Sequence, residues 1–343
     1  MDEKKNEQLK EKAMEQAKKL RRISPMKAAL LLFFAFLLAA VLFILISLGM
    51  IGRSGNDRID PSEEDFETDG QGPDTLSPKD VEWTEVKPLD DENLLNILLV
   101  GQDRRPGEPR QRSDAMLVVS INQETKEISL VSFLRDLYVR IPGYSDNRMN
   151  AAYAFGGFEL LKETLMANFG VSVDACFEVD FDGFEAVIDA VGGVDVELSA
   201  AEAKLVGDGA REGQNHLNGK QALAYSRIRY LDSDFVRTHR QRNVLMSVFD
   251  KARKSNLSEL FSLAKALIPQ LTTDQNTVQI LSLIASGFVA LRGCDGIETY
   301  SVPADNAYYN ATIRGMMVLV PNLQMIHGQL EEYFPLTPQK KGA

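Results

Sequence analysis

Apolar positions in this chain change their spacing several times, and each change marks a different kind of segment. Ala28–Ile51 is 24 consecutive residues without a charge. About 20 such residues cross a hydrocarbon core of roughly 30 Å, so the run predicts one N-terminal transmembrane helix. A cleaved signal peptide would carry an apolar stretch of about 7–15 residues ending in a small-residue site. Here the run is longer and Gly49-Met50-Ile51-Gly52 is a poor site, which favours an uncleaved anchor. Residues 52–93 are rich in Gly, Pro, Asp, Glu and Ser with few large apolar groups. Such a stretch cannot bury enough surface to fold alone and predicts an acidic linker. As a flexible coil it would reach roughly 35–40 Å.

From residue 94 the pattern turns to that of a packed domain. Short apolar runs predict strands at Asn96–Val100, Ala175–Val179, Val194–Leu198 and Thr299–Val302. Ala115–Ile121 and Glu127–Phe133 flank Asn122-Gln-Glu-Thr-Lys126 and predict a hairpin. Longer segments with helical spacing are Phe158–Asn168, Phe184–Ala190, Asn243–Lys254, Leu257–Gln270 and Thr277–Leu291. Gly156-Gly157 and Gly192-Gly193 read as turns. The mixture predicts the α/β class: a three-layer-like sandwich whose central mixed β-sheet is flanked by helices. The expected organisation is thus a 1–27 N-terminal segment, a 28–51 span, a 52–93 linker and a 94–343 domain.

Charge sharpens this division. The whole chain of 343 residues has a net charge of −11, which argues against a nucleic-acid binder. Residues 1–27 carry nine Lys/Arg against five Asp/Glu, and residues 52–93 carry four against fourteen. Basic residues gather before the apolar run, so the N-terminus is expected in the cytoplasm and residues 52–343 outside the cell membrane. The first 22 residues read as a short solvated helix that could lie against anionic lipid. Cys176 and Cys294 would then face an oxidising compartment; a disulfide and two buried free thiols both remain open.

Candidate chemistry collects at strand ends. Asp103 follows the first strand, Asp114 starts the second and Arg135 ends the third. A hairpin centred near Glu124 pairs positions summing to about 249, and 114 + 135 = 249, so Asp114 and Arg135 should face each other. Two carboxylates beside guanidiniums suit a hard divalent cation and a phosphate, with surface salt bridges as the competing reading. A second cluster lies in residues 227–242, which hold Arg227, Arg229, Arg237, Arg240 and Arg242. Asp232 or Ser233 could cap a helix beginning near Asp234. Its early turns would carry Arg237 and Arg240, where the helix dipole disfavours cations unless an anion lies between. Gln241 shares a face with Arg237. Arg exceeds Lys by sixteen to nine over residues 94–343, which suits bidentate phosphate capture. His216, His239 and His327 lack the spacing of zinc ligands.

Several segments together resemble the LytR-CpsA-Psr family. They are Leu98-Leu-Val-Gly-Gln-Asp103, Arg112-Ser-Asp114, Ser132-Phe-Leu-Arg-Asp136 and Asn150-Ala-Ala-Tyr153-Ala-Phe-Gly-Gly157. Val191-Gly-Gly-Val-Asp195, Leu217-Asn-Gly-Lys-Gln-Ala-Leu-Ala-Tyr225-Ser-Arg-Ile-Arg229 and Asp234-Phe-Val-Arg237-Thr-His-Arg-Gln241 continue the series in order. The resemblance implies a membrane-anchored phosphotransferase. Such an enzyme moves a glycopolymer (teichoic acid, capsule or similar) from an undecaprenyl-pyrophosphate carrier to peptidoglycan. The implied acceptor is the 6-hydroxyl of N-acetylmuramic acid, and the product is a phosphodiester. By position, Asp103 and Asp114 match metal-associated carboxylates for Mg²⁺, or Mn²⁺ in its place. Arg135, Arg227, Arg229 and Arg237 match pyrophosphate-binding arginines, with Gln241 nearby. Asp234 matches an acidic position able to accept the hydroxyl proton, so the implied catalytic set is Asp234, Arg135 and Arg237. Arg104, Arg110, Arg112 and Arg240 are weaker anion-binding candidates.

Leu134 stands where proline is frequent in the family, and Ala115 where threonine is common; neither removes a charged group. A polyprenyl tail needs an apolar groove, for which Tyr153, Phe155, Phe158, Leu161, Leu165 and Phe169 are candidates. Such a periodic face more often packs into a core. A lipid-pyrophosphate hydrolase would use the same arginines and Mg²⁺, whereas a non-catalytic lipid-binding envelope regulator would keep its cellular function in Asp103→Ala and Arg227→Ala. A transcriptional regulator conflicts with the expected topology and the acidic domain.

Overall fold

The structure, a computed structural model, describes residues 52–53, 57–64, 66, 68, 72–102, 104, 108–229, 231, 234–256, 259 and 270–338. The apolar run 28–51, most of the predicted helix 257–270, and Asp103 lie outside the described residues. Among the described residues, no helix is long and apolar enough to cross a membrane.

In chain order the elements are β1 (Gly52–Arg53), β2 (Leu94–Gln102), β3 (Ser113–Asn122), β4 (Ile128–Phe133), β5 (Tyr138–Val139) and β6 (Asn147–Arg148). Helix α1 (Met149–Phe169), β7 (Ala175–Val179), α2 (Phe181–Ala190), β8 (Val194–Leu198), α3 (Ala200–Val206), β9 (Gly213–Leu217) and α4 (Gly219–Ser226) follow. The chain continues through α5 (Asp234–Lys254), β10 (Thr272–Thr273), α6 (Thr277–Gly293), β11 (Ile297–Val302), β12 (Tyr308–Ile313), β13 (Met316–Pro321) and α7 (Leu323–Tyr333).

A mixed sheet runs in the order β1-β10-β7-β2-β3-β4-β11. Strand β2 is central, parallel to β7 and antiparallel to β3. Its two side-chain sets serve two layers, as the two-residue period of a strand requires. Leu94, Leu98 and Val100 pack in one cluster with Tyr153, Phe158 and Leu165 of α1 and Leu330 of α7. Leu95, Ile97 and Leu99 face the other way, toward Leu245 and Phe249 of α5 and Ala290 of α6. The predicted three-layer α/β sandwich is therefore present. Tyr153, Phe155, Phe158, Leu161, Leu165 and Phe169 are all core residues, so they do not form a lipid groove.

The β3–β4 hairpin keeps the expected register: Leu117 pairs Ser132 and Val119 pairs Leu130. Asn122 closes its turn, accepting from the Glu124 and Thr125 amides at 2.8 and 2.9 Å. Helix α1 begins nine residues before the predicted Phe158, at Met149. Gly156 and Gly157 break it internally, so the glycine pair is a kink joining two helical pieces. Both cysteines are buried free thiols.

The linker expectation needs correction. The described part of 52–93 does not hang as a coil but lies along the domain. Strand β1 pairs in parallel with β10, and the Ile59 amide donates to the Phe155 carbonyl. Val81 is buried and Trp83 stacks on Tyr138 at 6.2 Å. The Leu89 amide donates to the Gly170 carbonyl. Composition missed this because a few spaced anchors, Val81, Trp83 and Leu89, hold an otherwise polar stretch against a preformed surface. At the far end, the Thr337 amide donates to Asp91, and its hydroxyl accepts from Asn93 and Asn122.

Helix starts carry their own chemistry. Capping boxes open α3 (Ser199, Glu202), α4 (Asn218, Gln221) and α6 (Asn276, Gln279). At Gly219, the first residue of α4, a Cβ would stand 2.2 Å from the Glu185 carbonyl oxygen of α2. Only glycine allows that approach, and α4 ends where the arginine cluster begins. Gly219→Ala is expected to destabilise the domain by about 1–3 kcal/mol, read by denaturant unfolding. An unchanged midpoint would mean that α2 and α4 part without cost.

Candidate functional site

Asp114 is the hub of a charged mouth on the α5 side of the sheet. The Arg135 guanidinium donates to its Oδ1 at 2.8 Å. Arg229 donates to both carboxylate oxygens, at 3.1 and 3.2 Å. Arg237 donates to the Asp114 carbonyl at 3.4 Å. Arg135, Arg229 and Arg237, which lie 21, 115 and 123 positions beyond Asp114 in the chain, thus meet it at one strand end. Arg135 and Asp114 arrive through the hairpin register, Arg229 follows α4, and Arg237 comes from the first turn of α5. Arg237 is buried, whereas Arg229 is open to solvent.

Behind this mouth an apolar cavity of about 280 Å³ runs between the sheet and helices α2, α4 and α5. Leu99, Leu117 and Phe177 form its floor; Phe184, Ile188 and Leu223 form one wall; Val244 and Val248 form another. Asp114, Arg227, Arg229, Arg237 and Gln241 stand on its lining. The Arg227 guanidinium lies 4.1 Å from the centroid of the Phe181 ring, a cation–π contact at the start of α2. A long apolar ligand with an anionic end fits this arrangement: the helices line the tail's path and guanidiniums meet the head.

The other arginines divide clearly. Arg240 is buried, bound to Glu202 at 2.6 Å, and donates to the Ile228 carbonyl. It holds α5 against α3 and is withdrawn from the anion-binding set. Arg110 donates to the carbonyls of Ala154 and Asp57, which secures the incoming N-terminal stretch. Arg104 pairs with Glu178 at 3.2 Å. Arg242 donates to the Tyr300 carbonyl and the Ser301 hydroxyl, and burial pulls its guanidinium down to about 10. Arg112 stands one residue before β3, partly buried, and the described cavity lining does not include it. Asp234 is the first residue of α5, but its side chain and Asp103 fall outside the described residues.

Glu178 is a residue that sequence patterning missed. It is buried on β7, lines the cavity, and accepts from the Gln102 amide and the Tyr153 hydroxyl as well as from Arg104. Burial, reinforced by the Glu178 carboxylate, holds the Tyr153 phenol far above its ordinary range. Gln102 in turn accepts from the Gln111 amide, so this network fixes the two ends of the loop between β2 and β3.

The LytR_cpsA_psr family model matches residues 62–332. The chain belongs to the LytR-CpsA-Psr family. Among curated LytR-CpsA-Psr relatives, it is 35% identical over 242 residues to the polyisoprenyl-teichoic acid–peptidoglycan teichoic acid transferase TagU of Bacillus mycoides (strain KBAB4). That match covers 66% of this chain and 79% of the relative. Regulatory protein MsrR of Staphylococcus aureus (strain COL) is 31% identical over 225 residues, covering 64% of this chain and 68% of MsrR. The crystal structure of B. subtilis TagV superposes with a TM-score of 0.57 at 28% identity, covering 73% of this chain and 100% of TagV. Of the segments that carry the resemblance, Arg112–Asp114, Ser132–Asp136, Leu217–Arg229 and Asp234–Gln241 each supply a residue to the charged mouth. Most of the apolar wall behind it lies outside those segments, because Phe184, Ile188 and Val248 sit in ordinary amphipathic helices.

Proposed function

We propose that the chain is a membrane-anchored phosphotransferase that moves a polyprenyl-pyrophosphate-linked glycopolymer onto peptidoglycan. The observation that carries this reading is the joining of an apolar cavity to a mouth of Asp114, Arg227, Arg229 and Arg237. The names of TagU and TagV relatives, which are teichoic acid transferases, support it. The polyprenyl tail would lie against Phe184, Ile188 and Val248, and the pyrophosphate would meet the guanidiniums.

In the reaction, a hydroxyl oxygen of the acceptor sugar attacks the phosphorus that carries the glycan. The new phosphorus–oxygen bond forms as the bridge to the second phosphate breaks. Polyprenyl phosphate leaves, and the hydroxyl proton passes to a base, for which Asp234 is our candidate. Such transfers rest on positioning and charge compensation more than on covalent help from protein. Arg135 and Arg229 hold the Asp114 carboxylate in place, while Arg237 and Arg227 face the pyrophosphate.

Mg²⁺ in such sites takes one or two carboxylates and completes its shell with phosphate oxygens and water. Among the described residues there is no cluster of three or more Asp, Glu, His or Cys able to hold a metal unaided. The Asp114 carboxylate at the mouth fits one protein ligand of such a cation. Asp114, together with Asp103, would hold Mg²⁺ there, and the ion would offset the negative charge of the pyrophosphate. We also propose the cytoplasmic N-terminus and an extracytoplasmic domain, supported by the basic block before residue 28.

Product analysis tests the activity. Full-length protein in vesicles, given labelled polyprenyl-pyrophosphate glycan and peptidoglycan oligomers, is expected to yield a phosphodiester-linked conjugate and polyprenyl phosphate. Glycan released to water with no conjugate would establish hydrolysis instead.

A further inference from the structure

Helix α6 presents an apolar face that no described part of the domain covers. From Thr277 to Leu291 it has no charged residue, yet only Ile280 and Ala290 are buried. Val278 is 75% exposed and Val289 53%, and Leu281, Ile284 and Phe288 are exposed as well. At 100° per residue these five side chains fall on one side of the helix, opposite the side that packs on the sheet through Ala290. A soluble domain rarely leaves such a stripe uncovered.

The path of the chain identifies the occupant. The uncharged run 28–51 ends one residue before β1, and β1 pairs residue for residue with Thr272 and Thr273 of β10. Helix α6 starts four residues after Thr273. The chain therefore enters the domain beside the N-terminal end of the exposed stripe, with no slack between the apolar run and the first paired strand. Leu271, which immediately precedes β10, lines the apolar cavity. Helix α6 and the cavity lie on the same face of the sheet, and the chain enters at its β1 edge.

We propose that α6 lies in the interfacial region of the lipid bilayer and seats the domain on the membrane with its cavity facing the lipid. Interfacial helices bury an apolar face at the headgroup–acyl boundary, and here the protein takes the opposite side of α6 in place of water. A polyprenyl chain could then pass from the bilayer past Leu271 into the cavity without crossing water. The inference rests on reading residues 28–51 as a membrane anchor, and it concerns the same site as the proposed transfer.

Two readouts on the full-length chain separate these ideas. Phe288→Trp and, as a control, Met317→Trp on β13 are each reconstituted into phosphatidylglycerol–phosphatidylcholine vesicles containing brominated phosphatidylcholine. Both variants keep Trp83, so their difference reports the new side chain. Bromine quenches tryptophan on contact, and the Phe288→Trp signal is expected to fall roughly two-fold while Met317→Trp stays unchanged. Equal, unquenched signals would overturn the proposal and leave the transfer reading intact. A blue-shifted but unquenched Phe288→Trp would also overturn it, because protein, either a second copy or another part of this chain, would then cover the stripe.

The second readout is activity of Leu281→Gln/Phe288→Gln. Transfer from a full-length polyprenyl donor in vesicles is expected to fall roughly ten-fold, while a short-chain water-soluble donor is used within about two-fold of the unsubstituted rate. Equal rates with both donors would count against α6 docking. If the unsubstituted protein uses neither donor, the transfer reading fails, and the quenching result still decides the position of α6.

Discussion

Arg237→Ala is expected to lower kcat for glycopolymer transfer by roughly 10²–10³-fold, the usual cost of losing one preorganised donor to a developing charge. Arg237 is the buried guanidinium of the mouth, held through the Asp114 carbonyl. Its surroundings exclude water on one side, so its charge is less screened than that of the exposed Arg229. Arg237→Lys keeps the charge but loses the planar fork, and a loss of at least roughly ten-fold is expected for it as well. Steady-state rates with the lipid-linked donor, alongside unfolding midpoints, check both. A full kcat with only a raised KM would mean that Arg237 binds donor and transition state alike.

The second large effect lies on Arg240, which does not face the ligand. Removing its guanidinium leaves the half-buried Glu202 carboxylate without its cationic partner, held by Ser199 alone among the described hydrogen bonds. Arg240→Ala should cost roughly 3–5 kcal/mol, lowering the melting midpoint by something on the order of 10 °C. The double variant Arg240→Met/Glu202→Gln should recover most of that loss. Burial opposes ionisation of Glu202, but the hydrogen bonds from Arg240 and Ser199 outweigh it and hold its carboxyl below the usual range. A depressed carboxyl stabilises the fold above its unfolded-state value and loses that contribution as pH falls through the folded value. Acid should therefore narrow the gap between the unsubstituted protein and Arg240→Ala, with the full gap present at neutral pH. A constant gap down to strongly acidic pH would show that the pair is not what stabilises α5.

Much of the charged mouth was legible because it follows from local rules. The hairpin turn at Asn122 sets a register, and the register alone brings Asp114 to Arg135. The arginines after α4 were visible as a cluster, but their roles were not. Arg229 and Arg240 lie eleven residues apart in one arginine-rich stretch, and one meets Asp114 while the other meets Glu202. What separates them is that Arg229 leaves the end of α4 toward the strand ends, whereas the helical phase of α5 turns Arg240 toward the short helix α3. The cavity was invisible for a different reason. An apolar helical face looks the same in sequence whether it meets a core or an unfilled space, and here α1 met the core while α2 faced the space. The polar 52–93 stretch was misjudged because average composition outweighed three well-placed anchors, Val81, Trp83 and Leu89.

The order in which the chain closes its sheet bears on how the domain is made. Strand β4 waits for β11, whose Ile297 pairs with Ile128, 297 − 128 = 169 residues earlier. Asp91 and Asn93, which lead into β2, are tied by side chains to Thr337. Contacts so distant along the chain are entropically slow to form, and an unpaired strand edge is prone to wrong partners meanwhile. A growing chain that has delivered β2, β3 and β4 still lacks the strand that covers β4 and the segment that latches the first strand. Folding of this domain is consequently a late event, completed only once nearly the whole polypeptide has emerged.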